Sequence, residues 1–109
     1  MPQKNNNPVY IKCGNEHFEL SNVSIIKSFL SLAFIPISGL SSIVKGLINF
    51  EGEIIPLLNF SNELLPEKNI KTVILDSEDG IFAVFGELIL SKKNEIEFKK
   101  INYKVYFEK

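Results

Sequence analysis

The chain has 109 residues, 45% of them hydrophobic and 23% charged, with a net charge of −1. That composition describes one globular domain with a modest core and excludes a disordered polymer. With a net charge so near zero, no global field draws in nucleic acid or anionic lipid, and because all twelve basic residues are lysine, no guanidinium fork exists for bidentate recognition.

The opening "MPQKNNNP" is polar and shows no secretory pattern, so residues 1–8 read as a disordered leader before a single domain over 9–109. "VYIKCGNEHFEL" follows as two short strands, Val9–Cys13 and Glu16–Leu20, around a Gly14-Asn15 turn. Ser21 or Asn22 can cap a short helix through about Phe29, with Val23, Ile26 and Leu30 on one face, although the isoleucines and valine also suit a strand. The apolar run Phe29 to Leu40 is about half the roughly 20 residues needed to cross a bilayer and is broken by Pro36 and Gly39. No membrane insertion is expected, and a cytoplasmic location is the simplest reading. "IPISGLSS" from Ile35 is a loop.

"VKGLINFEGEIIPLLNF", Val44 to Phe60, then reads as a hairpin with Gly52 at its tip, where a positive φ is needed that Glu51 and Glu53 would resist. Val44, Gly46, Ile48 and Phe50 share one face, Leu47 and Asn49 the other. Pro56 lacks an N–H, which calls for an edge or a bulge. Strands apolar on both faces require cover on both, by a second layer or a partner. "SNELLPEK" offers one helical turn ended by Pro66. "KTVILD" and "GIFAVFG" are further strands joined by the turn Ser77-Glu78-Asp79-Gly80. The tail alternates twice, with Ile96 and Phe98 against Glu97 and Lys99, then Ile101, Tyr103, Val105 and Phe107 about Lys104. Short strands with frequent turns imply an all-β barrel or paired barrels.

Chemistry-bearing patterns are sparse. Cys13, the one cysteine, lies four residues from His17, the one histidine. A nucleophile pair needs a third orienting group and an oxyanion site, and neither is evident. A buried cysteine and a surface histidine fit better, and two ligands fall short of a zinc site. Asp76 to Gly80 has the acidity of a calcium loop, but its glycine is one place early and strand patterns flank it. An acidic turn is the better reading. No cofactor motif occurs. Ser91 to Lys109 carries six lysines against three glutamates among Phe98, Tyr103, Tyr106 and Phe107, a mixture with which small barrels bind single-stranded nucleic acid. This is the alternative function; the ordinary account is a solvated strand face.

The hairpin resembles the CheW-like domain of bacterial chemotaxis coupling proteins. That family has a proline–glycine loop, a strand ending "GVINLRG" and a strand reading "xxPVxDL". Here Ile35 to Gly39 stands for the loop, and Gly46, Ile48, Asn49, Gly52 and Pro56 fall in register. "KTVILDSEDGIFAVFGEL" is similar to the family's next hairpin and "VYIKCGNEHFEL" to its first, so the likeness covers roughly residues 9 to 90.

The resemblance implies two small packed barrels with only short helical segments, and a non-enzymatic adaptor docking a sensor histidine kinase's regulatory domain, a chemoreceptor's cytoplasmic tip, or both. Nineteen residues follow Leu90, where the family continues through several strands, so the second barrel is expected to be reduced. Its open edges would permit self-association or completion by a partner. Leu47, Ile48, Glu51, Pro56 and Leu58 are the candidate protein-binding residues, and Gly46, Asn49 and Gly52 the structural ones of the hairpin. Glu51 replaces the family's arginine and Asn59 its aspartate, so Glu51 is the expected specificity switch.

Overall fold

The computed structural model describes residues 8–31, 34–36, 43–66, 68–90 and 95–102. Among them all regular structure is strand: β1 (Val9–Cys13), β2 (Glu16–Leu20), β3 (Ser24–Ser31), β4 (Ile35–Pro36), β5 (Val44–Phe50), β6 (Glu53–Leu58), β7 (Ile70–Ser77), β8 (Gly80–Phe85), β9 (Glu87–Ile89) and β10 (Lys99–Ile101). They form two sheets, a smaller one in the order β10-β2-β1-β9 and a larger one in the order β3-β7-β8-β6-β5-β4. No helix among the described residues is long and apolar enough to cross a membrane.

Both expected helical segments are replaced. Asn22 has a φ of 63°, so it turns the chain instead of capping a helix. Residues 24–31 then pair antiparallel with β7, with a bulge between Ile25 and Lys27. Val23 is buried while Ile26 and Leu30 are exposed, so the helical spacing does not gather them. The β-branched residues follow their strand propensity, and β7 supplies the hydrogen-bond partner. "SNELLPEK" holds no helix in its described part; side-chain bonds from Asn59 and Ser61 shape it instead.

Ile35 and Pro36, expected in a loop, form β4 and pair with Leu47 and Gly46. The tail's first alternating segment is also corrected: among the described residues of the tail only Lys99–Ile101 pairs, parallel to β2. Tyr103, Val105 and Phe107, the loop residues Ile37 to Gly39 and residues 1–7 of the expected leader lie outside the described residues.

Among the described residues the sheets do not close into barrels. The larger one curls until Phe29 of β3 meets Phe50 of β5, with ring centroids 6.2 Å apart. Its middle strands are buried on both faces, as the continuous apolar run in β7 requires. Val73, Leu75, Phe82 and Val84 face the smaller sheet and pack with Ile11, Phe18 and Leu20. Ile74 and Ala83 face the inside of the curl with Ile48, Phe50, Ile55 and Leu57. Two cores therefore share β7 and β8.

Gly86 carries the chain from one sheet to the other. Its φ is 145° and its N–H donates to the Lys71 carbonyl at 2.9 Å. A Cβ there would lie 2.6 Å from Ile11 Cγ2 and 2.9 Å from the Lys12 oxygen, so only glycine allows this approach. Immediately after the corner, Glu87 pairs with Lys71, whose ammonium holds the Glu87 carboxyl below the usual carboxylate range.

Candidate functional site

The β5–β6 hairpin is closed by a two-residue loop, since Phe50 pairs with Glu53. Both loop residues have positive φ, 50° at Glu51 and 86° at Gly52, the signature of a type I′ turn whose twist matches that of the strands. Gly52 meets nothing within 4 Å, so its conformation and not space demands glycine. Glu51 was expected to resist this region and instead occupies it, at a cost of about 1 kcal/mol relative to glycine. The Gly52 N–H donates to Asn49 Oδ1 at 3.0 Å, which ties the loop to its strand.

Register sorts the faces. Gly46 opposite Leu57 and Ile48 opposite Ile55 line the inner face; Leu47 opposite Pro56 and Asn49 opposite Ile54 line the outer one. Gly46 lies beneath β4, where a Cβ would sit 2.3 Å from the Ile35 oxygen and 2.7 Å from the Phe34 ring. Pro56 is on an inner strand, but the β6–β8 pairing covers only Leu57 and Leu58. Its missing N–H therefore faces no ladder on that side, and the sheet accepts it.

The candidate docking residues divide. Ile48 is 1% exposed and Leu58 fully buried, so both shape the hairpin from within and neither presents a side chain to a partner. Their apolar character matched an interface and a core equally well, and the core took them. Leu47 and Pro56 are half-buried on the outer face, and Glu51 is exposed at the tip.

The structure adds two residues that sequence reasoning missed. Ile35 pairs with Leu47, which makes a row Ile35–Leu47–Pro56 across three strands, with Ile54 one step nearer the tip. Ile35 and Ile54 are 58% and 53% exposed. Ile54 was legible as the residue facing Asn49 across a tight hairpin. Ile35 was not, because its strand pairs across an intervening segment.

Asn59 is buried, and both ends of its side-chain amide are engaged. Its N–H donates to the Ile43 carbonyl at 2.9 Å and its Nδ2 to the Glu63 carbonyl at 2.7 Å. Its Oδ1 accepts from the Ser61 N–H at 2.9 Å and the Ser61 hydroxyl at 2.6 Å. With its single proton used there, Ser61 Oγ accepts from the Glu63 N–H at 3.1 Å and from the Cys13 thiol at 3.0 Å. Burial pushes the Cys13 thiol above its ordinary value. The group is a protonated donor in a structural network, a poor nucleophile.

The Cys13–His17 pair is not assembled. His17 pairs with Lys12 and Cys13 with Glu16, so the two side chains take opposite faces of one hairpin. His17 meets Phe98 edge-on at 5.3 Å, and Phe98 also meets Tyr10 at 5.2 Å. In the tail's described part, then, the stacking aromatic is occupied, and Lys99 lies 3.4 Å from the Glu16 carboxylate. The acidic stretch at Asp76 is a hairpin turn: Ser77 pairs with Gly80, the Ser77 hydroxyl donates to the Gly80 carbonyl at 2.8 Å, and it accepts from the Asp79 N–H at 3.2 Å.

No family model matches the sequence, and no curated protein matches it either. Among solved structures, the scaffolding protein TtCheW from Thermoanaerobacter tengcongensis is similar, with a TM-score of 0.57 and 19% identity over 89% of this chain and 70% of that one. A likeness at that identity speaks for the backbone alone, and with the two sheets described above it gives the chain an all-β, CheW-like fold.

Proposed function

We propose that the chain is a non-enzymatic docking adaptor of the chemotaxis-coupling kind. Its partners are the regulatory domain of a sensor histidine kinase, the cytoplasmic tip of a chemoreceptor, or both, in a bacterial cytoplasm. The observation that carries this reading is the apolar row Ile35–Leu47–Pro56, exposed at Ile35 and half-exposed at Leu47 and Pro56 among the described residues, on the outside of a sheet whose inner face is already packed. A row of that kind on a fold shared with a scaffolding protein fits surface recognition.

Calorimetric titration of the full chain with the kinase regulatory domain and, separately, the receptor tip from the same organism tests it. Binding near micromolar strength, about −8 kcal/mol, is expected for at least one of them. Absence of heat with both ends the reading. The edges β3, β4, β9 and β10 are the routes by which copies would pair; light scattering on the same samples separates self-association from docking.

A further inference from the structure

We infer that the outer face of β4, β5 and β6 takes a cationic partner, a polypeptide segment that presents an aliphatic side chain between lysines or arginines. The inference rests on the adaptor reading in treating the surface as a protein interface, and it adds the chemistry of what docks there.

Two independent features meet at this place. Ile35, Leu47 and Pro56 form one continuous row by register, and Ile54 extends it toward the tip, so the apolar surface is a patch and not scattered side chains. At the end of that patch the turn carries the exposed carboxylate of Glu51, whereas Glu53, exposed on the other side of Gly52, pairs with Phe50 and so belongs to the opposite face of the hairpin. Among the described residues neither is in an ion pair. Glu51 is held at a φ of 50°, where asparagine or glycine forms the same turn with less strain. A strained residue at an exposed tip, in no side-chain hydrogen bond or ion pair among the described residues, points to recognition.

Charge complementarity then selects the partner. An acidic tip repels phosphate and anionic headgroups, and steers in a segment whose cations flank an apolar side chain. The aliphatic group covers Ile54 and Leu47, and a cation reaches Glu51.

The test follows the amide resonances of the isotope-labelled full chain as a short peptide alternating lysine with leucine is added, and separately its glutamate–leucine twin. The lysine peptide is expected to shift Ile35, Leu47, Glu51 and Ile54 saturably, and the twin to leave them in place. Glu51→Gly removes the carboxylate while relaxing the turn, so this variant melts no lower than the parent yet binds the lysine peptide about tenfold more weakly. Ile54→Lys abolishes binding. Equal binding of the twins, shifts confined to other strands, or unchanged affinity in Glu51→Gly would overturn the inference. So would concentration-dependent shifts of the same amides without peptide, which assign the row to a second copy. The kinase and receptor titrations report separately. A partner that binds while these amides stay put removes this surface and keeps the adaptor; peptide binding with both partners silent does the reverse.

Discussion

Replacing Asn59 with aspartate barely changes the side chain's shape, yet it turns the donor facing the Glu63 carbonyl into an acceptor. The change also puts a carboxylate at a residue that is 2% exposed. Asn59→Asp is therefore expected to cost about 1–3 kcal/mol at neutral pH, the penalty for a buried polar atom without its partner. Burial raises the folded-state value of such a carboxyl, so the native state holds the proton more tightly than the unfolded chain. Stability then falls as pH rises past the unfolded aspartate value of about 3.9, and the deficit against the parent shrinks below it, where the acid form again donates to Glu63. Urea unfolding of both proteins at neutral and acidic pH checks this; a deficit that grows on acidification would contradict it. The aspartate-to-asparagine change seen against the CheW-like pattern is thus matched by its surroundings, which offer this amide both donors and an acceptor. The sequence showed that Asn59 departs from the pattern. That the departure is satisfied depends on Ser61 and Glu63 folding back over it, which no local preference predicts.

At the scale of elements, β4 exists because β5 has no side chain at Gly46. Its backbone comes close enough that a methyl group there would collide with the Ile35 oxygen. Gly46→Ala is expected to cost about 1–3 kcal/mol, as overpacking does, and to release β4 first. Amide exchange at Ile35 and Leu47 should quicken while β1 and β2 keep their protection; uniform quickening across both sheets would show that the edge is not a separate unit. The hairpin itself was legible from alternation and the Gly52 turn. The strand over Ser24–Ser31 was not, since Val23, Ile26 and Leu30 carry a helical spacing as well as β-branched residues. Its state was decided by β7, which offers a full ladder to one side of it. A segment with two acceptable local conformations takes the one a neighbour can hydrogen-bond.

Across the whole molecule, β7 and β8 join two cores into one cooperative unit. Ile74 faces the core inside the curl and Leu75 the core between the sheets, on successive residues of a single strand, both fully buried. Ile74→Ala and Leu75→Ala should each cost about 2–5 kcal/mol and lower one shared transition, because neither core can open without breaking the strand they share. Coincident melting curves by circular dichroism and tyrosine fluorescence are the expected result in both variants. Two resolved steps in either would show the halves folding separately. A loss of that size is a large fraction of a small domain's stability, typically about 5–15 kcal/mol.

The sequence by itself determined the all-β class, the hairpin and its glycine turn, and the alternation from Gly46 to Phe50 that buries one face of β5, because period, turn chemistry and φ preference act within a few residues; the bulge that moves Val44 to the other face was not legible. It also marked Leu47, Pro56 and Glu51 as outward candidates, but apolar character alone left Ile48 and Leu58 among them. Tertiary structure decided which apolar face is covered, and so placed Ile48 and Leu58 in the cores and Ile35 and Ile54 on the surface. Among the described residues it left both sheets open, set Cys13 and His17 on opposite faces, and brought Ser61 and Glu63 to Asn59. Each of these depends on strands distant in the chain, and burial is a property of what lies opposite a residue and not of the residue alone.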